Sequence, residues 1–157
     1  MADHVKTQIR DAAAASGVLG NLTTTGTRIF LARPEEKPLQ AATPTELPGL
    51  CIYTDEEEIE LGTLSSSGRR MIRTLQLKVR GYVQATGDID KTTDTITKEV
   101  ETAMAAGVTL GGKCKDLWPV SVTKGRDAEG ETPVAWVEIM FMVEYHTAQA
   151  APDVALA

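Results

Sequence analysis

Residues Val134–Tyr145 read VAWVEIMFMVEY, the longest apolar run in the chain. At the two-residue period of a β-strand the run splits into two rows. Ala135, Val137, Ile139, Phe141, Val143 and Tyr145 form a row that is wholly apolar or aromatic. Val134, Trp136, Glu138, Met140, Met142 and Glu144 form a second row, apolar but broken by two carboxylates. A strand of this kind needs a helix layer over its dry row and some other cover over its mixed row.

A second segment, Arg70–Gln84 (RMIRTLQLKVRGYVQ), alternates as cleanly. Arg73, Leu75, Leu77, Val79, Gly81 and Val83 make its core row, and Thr74, Gln76, Lys78, Arg80 and Tyr82 its wet or partner-facing row. Shorter strands are predicted at Thr27–Ala32, at Gly49–Thr54 with Ile59 and Leu61 as a continuation, and at Lys113–Lys124, where Pro119 forces an edge position or a bulge. Two helices are predicted. Asp3–Val18 has Asp3 as its cap, and Ile89–Ala106 follows Asp88 and carries the stripe Ile89, Ile96, Val100, Ala103, Met104. The order α-β-β-β-α-β-β with long hairpins implies an α+β fold. Its mostly antiparallel five-stranded sheet has both helices packed on one face. Residues 1–146 make a single domain, and the Ala-rich 147–157 a flexible C-terminal tail.

Composition narrows the function. A net charge of −6 argues against a sequence-independent grip on nucleic acid. No apolar span suits a membrane, and Met1–Gly20 lacks the apolar centre of a signal peptide, so work in the cytosol is expected. Cys51 and Cys114 fit buried thiols in a reducing compartment better than a disulfide framework. His4 and His146 lie in the terminal segments with no third ligand nearby, which does not suit zinc.

No catalytic constellation is found. Gly111-Gly112 precedes a strand instead of opening a helix, no Gly-x-Ser-x-Gly elbow is present, and neither His sits in a general-base setting. Glu138 and Glu144 lie on one strand face roughly 20 Å apart, too far to act on one bond. No catalytic, cofactor-binding or metal-binding residue is therefore assigned. Charge clusters remain. Asp55, Glu56, Glu57 and Glu58 are four successive carboxylates, which suit solvent or a basic partner. Arg69, Arg70 and Arg73 form a basic cluster, separated from them by the Ser-rich break Gly62–Gly68. If that break is a hairpin loop the two clusters lie side by side. They then pair within the chain or with a neighbouring subunit. Pro34–Pro48 is a long Pro-rich loop, either a solvated surface segment or a binding arm.

The sequence resembles the tail terminator proteins of long-tailed (siphovirus) phages, the family typified by minor tail protein U of lambda-like phages. The resemblance runs over residues 3–146. DHVKTQIRDAAAA leads to TTTGTRIFLARP, then LPGLCIYTDEEEIE and RRMIRTLQLKVRGYVQA. DIDKTTDTITKEVETAMAA, TLGG and DLWPVSVTKGRDAEGETPVAWVEIMFMVEYHT follow. It implies a non-enzymatic virion protein at the head-proximal end of the tail, assembled in the host cytoplasm. Copies would form a six-membered homo-oligomeric ring on the tail tube, stop its polymerisation, and offer a head–tail joining surface. Implied partners are the tail tube protein, head–tail connector or neck proteins and the tape measure protein, with no membrane and no sequence-specific nucleic-acid contact, though DNA passes through the ring. On that reading Asp55, Glu56, Glu57, Glu58, Arg69, Arg70 and Arg73 become candidates for subunit or tube contacts, with Arg126 and Asp127 at a hairpin tip and Trp136 on the mixed face. Reversing Arg70 and Arg73 to Glu is expected to weaken assembly and leave the monomer folded. Two other readings stay open: a head–tail connector or tail completion protein, and a small-molecule binding module or enzyme using a pocket under Pro34–Pro48.

Overall fold

The computed structural model describes residues 2–31, 46–66, 68–84, 87–127 and 134–156, with Asp127 described by its backbone only. Pro34–Pro48 therefore lies almost wholly outside the described residues; beside its described end is a recess of about 220 Å³ lined by Leu47, Pro48, Val83, Gln84 and Thr92.

The two alternating segments form the centre of the sheet. They are β3 (Gly68–Gln84) and β5 (Val134–Ala148), antiparallel and paired without a break from Arg70↔Ala148 to Gln84↔Val134. On one side β3 pairs with β2 (Gly49–Ser65), which in turn takes the short parallel β1 (Ile29–Leu31). On the other side β5 pairs with β4 (Asp116–Asp127) and, beyond β4's start, with β6 (Ala151–Ala155). The order across the sheet is β1-β2-β3-β5-β4, with β6 joined to β5. The fold is α+β and mostly antiparallel, as expected. The sheet has six strands where five were expected.

The sixth strand comes from the segment read as a flexible tail. Its composition carries no stripe, so nothing local marks it as a strand. Tertiary contacts supply the reason: Gln8 Nε2 donates to Asp153 O at 2.8 Å, Leu156 N donates to His146 O at 2.9 Å, and Ala155 packs on the core.

Both helices cover one sheet face. α1 (Val5–Ala13) buries Val5, Ile9 and Ala13, and α2 (Ile89–Ala106) buries Thr93, Ile96, Val100 and Met104. They close over Leu50, Ile52, Leu75, Leu77, Val79 and the whole dry row Ala135–Tyr145. Gly81 stands in the core row of β3 because α2 comes close: a Cβ there would sit 2.8 Å from Ile96 Cγ2. α2 starts as predicted, with the Asp88 side chain accepting from Lys91 N at 3.0 Å. α1 does not. His4, not Asp3, is its cap, accepting from Lys6 N through Nδ1 at 3.2 Å, and the helix stops at Ala13 instead of Val18. The shortening has a packing cause: Leu19 is fully buried, and Gly20 lies so close to Ala14 and Ala15 that a Cβ would meet the Ala14 carbonyl at 2.4 Å.

Candidate functional site

The acidic run is not a loop. β2 passes straight through it, and Gly62–Ser65 also belongs to the strand, with Ser65 paired to Gly68 of β3. A register shift between Thr54 and Glu57 accommodates Asp55 and Glu56 as a bulge. The bulge turns Glu57 onto the helix-covered face, opposite Leu75. A carboxylate there must be paired. Arg73 Nη1 meets Glu57 Oε1 at 2.7 Å, and the hydroxyl of Tyr145 donates to Glu57 Oε2. Arg73 Nε also donates to Thr147 Oγ1 at 3.1 Å. The Arg73 and Glu57 side chains are 11% and 9% exposed, so the four groups form a polar cluster sealed within the chain. Burial, then the Glu57 carboxylate, raises the Tyr145 pKa above its ordinary value.

The remaining candidates scatter. Asp55 is bonded to Lys78 Nζ at 2.8 Å on the exposed side. Glu56, Glu58 and the neighbouring Glu60 are exposed and form no ion pair among the described residues. Arg70 Nε donates to His146 Nδ1 at 2.9 Å, and burial followed by the Arg70 charge lowers the His146 pKa. Arg69 is half-buried beside the hairpin turn, across from Leu64. Arg126 is exposed near the end of β4, and Asp127 pairs by its backbone with Val134. The structure thus brings together Glu57 with Arg73, and Asp55 with Lys78, and places Arg126 and Trp136 at the far end of the sheet. Arg73 is a poor probe of assembly. Its reversal to Glu would put two carboxylates into one nearly dry site, so the expectation of a folded double-reversal monomer is not supported by its position.

Trp136 has a definite setting. Its ring lies across Gly125, where a Cβ would come within 2.3 Å of the indole, and the Arg80 guanidinium sits 4.3 Å from the ring centroid. Arg80 Nη2 bonds Glu138 at 2.8 Å. Burial opposes the charge of Arg80, but the Tyr82 hydroxyl and Glu138 outweigh it and its pKa lies above the ordinary value. The mixed face therefore carries half-buried Met140 and Met142 beside an ion pair stacked on an aromatic, with no helix over it among the described residues.

Residues that the sequence reading passed over are apolar. Leu64 on β2 and Val120 and Val122 on β4 are exposed, as are Ile59 and Leu61, where β2 continues beyond Thr54. In β4 the sequence signal is the apolar run WPVSV itself, three of whose five side chains are Trp or Val.

The chemistry open to these groups is limited. Among the described residues no cluster of three or more His, Cys, Asp or Glu is arranged to hold a metal. Cys51 and Cys114 are buried and free, and burial pushes the Cys114 thiol up to about 12, so it stays protonated and inert. A recess of about 540 Å³ runs between Asn21–Thr23 and one side of α2, with Lys98 and Glu99 as the charged groups of its lining.

No family model matches the chain, and no curated protein matches it. Among solved structures, it is similar to a chain in the virion of a native gene transfer agent particle. The TM-score is 0.44 and the identity 13%, over 92% of this chain and 96% of that one.

Proposed function

We propose that this chain is a structural protein of a tailed-phage particle and acts as a tail terminator. Copies of it form a ring, six to a turn, on the last ring of the tail tube. The ring stops tube polymerisation and presents a surface to the neck proteins, with the tape measure protein reaching it from the lumen. Two things support this reading. One is the sequence resemblance over residues 3–146, together with the order α-β-β-β-α-β-β that the described elements follow up to β5. The other, which carries the proposal, is a contrast within the structure. The charged groups best shielded from water in the sheet, Glu57–Arg73–Tyr145 and Arg80–Glu138, are paired with one another, while apolar side chains stand exposed on two outer strands of the sheet. A site for chemistry shows the reverse: free, perturbed polar groups converging on a cavity. An assembling part shows exposed apolar surface waiting for a neighbour.

A head–tail connector would share these features. Deletion of the gene in the parent phage separates the two. Overlong or headless tails establish a terminator, normal tails beside empty, unjoined heads establish a connector, and complete infectious particles refute both.

A further inference from the structure

α1 is capped by a group that titrates. His4 Nδ1 accepts from Lys6 N at 3.2 Å, in the place where Ser, Thr, Asp or Asn usually stands. Those side chains keep an acceptor oxygen across the neutral range. An imidazole keeps its acceptor only while neutral, because both nitrogens of the imidazolium carry hydrogen. Protonation therefore leaves a donor facing the Lys6 N–H.

The surroundings of His4 oppose that proton. Lys6 of α1 and Arg73 of β3 repel an imidazolium, whereas Glu57 of β2 and Asp153 of β6 attract it. Arg73 and Glu57 are 2.7 Å apart, so their charges largely cancel at His4. Burial is the largest effect, and the folded chain holds the His4 pKa below its ordinary value of 6.5.

The capped turn also holds a second element. Gln8, one turn along α1, donates through Nε2 to Asp3 O at 2.6 Å and to Asp153 O at 2.8 Å. Its Oε1 accepts from Lys113 Nζ at 3.0 Å. β6 pairs with β5 only at Thr147↔Ala155 and Ala148↔Ala151, with a register shift between them. Leu156 N adds a bond to His146 O at 2.9 Å. A strand so briefly paired depends on α1 for its place.

We propose that His4 is a pH-sensitive latch: its protonation in mild acid loosens the first turn of α1 and, through Gln8, the hold of α1 on β6. Val5 and Ile9 of α1 are fully buried, so each opening bares core surface. The latch lies within one folded chain and stands independently of the ring reading. The opened form returns His4 to its ordinary pKa, so it takes up the proton first. Opening is therefore favoured progressively as pH falls below about 6.5.

The test is amide hydrogen exchange of the full chain, read by NMR as protection factors at about pH 7.5 and about pH 5.5. Protection of Thr7, Gln8, Ile9 and Leu156 should fall on the order of fivefold in acid, the worth of one helix cap. Val100 in the buried stripe of α2 should hold. His4→Asn keeps an acceptor that does not titrate, and the fall should vanish. His4→Ala has no cap, and α1 should be equally weakly protected at both pH values. Gln8→Ala should leave the pH response in α1 and remove it from Leu156, which is then loose throughout. Near-UV circular dichroism checks that each variant folds, and the imidazole resonances of the wild type give the His4 midpoint directly. An undiminished fall in His4→Asn assigns the effect to another group and overturns the latch. So does unchanged wild-type protection across the titration of His4. A Gln8→Ala chain in which Leu156 still responds to pH overturns the link to β6.

Discussion

Replacing Arg73 by Met should destabilise the chain strongly, through Glu57 more than through any packing loss. Arg73 and Glu57 are 2.7 Å apart and only 11% and 9% exposed, so water does little to screen either charge. Removing the cation leaves Glu57 with the Tyr145 hydroxyl as its remaining partner in the cluster. Breaking a buried pair from one side costs about 3–5 kcal/mol. With an m-value of roughly 2 kcal/mol per molar urea, the lower figure moves the unfolding midpoint down by about 1.5 M. The partner change, Glu57→Gln, keeps an oxygen for Tyr145 and should cost less, about 1.5–3 kcal/mol, as a charged hydrogen bond is replaced by a neutral one. The double variant should be more stable than Arg73→Met alone, because no charge is then stranded. Urea unfolding of the four proteins, followed by circular dichroism at neutral pH, closes the double-mutant cycle. Lys124→Met serves as the control: Lys124 and Asp94 are 41% and 68% exposed, and its midpoint should hardly move. A loss under about 1 kcal/mol for Arg73→Met, or a double variant equal to the sum of the singles, would refute the claim that the cluster is sealed and coupled.

The pH profile of stability should be a plateau falling on both sides. His4 and His146 have pKa values lowered by burial, so the unfolded imidazoles take up protons first and stability declines as pH drops below about 6.5. Tyr145 and Cys114 are raised by burial, so the unfolded chain loses those protons first and stability declines as pH rises above about 9. Urea midpoints measured from pH 5 to alkaline solution check this, and a midpoint that rises above pH 9 contradicts it. Gly81→Ala should cost about 1–3 kcal/mol, since its Cβ would press on Ile96 of α2. Thermal melts read the cost, and a midpoint equal to the wild type's would contradict the close approach of α2.

Alternation alone determined the centre of this protein. β3 and β5 were legible to within a few residues, and so were their dry rows and the helix layer over them, because a period of two with one apolar row admits a single orientation in a half-covered sheet. α2 was legible from Asp88 and its stripe for the same local reason. Local pattern did not decide the rest. The four carboxylates read as one solvated cluster, yet a bulge of two residues sends Glu57 inward to Arg73 and Tyr145 and leaves Glu56 and Glu58 outside. That sorting depends on a partner 16 residues away and another 88 away, beyond the reach of any window. β6 exists through bonds to Gln8 and His146, not through its own composition. The exposure of Ile59, Leu61 and Leu64 was hidden too, since an apolar alternating row looks alike under a helix or beyond its end. Only the point where α1 begins decides which residues are covered, and α1's place over the sheet is set by long-range packing that no single segment encodes.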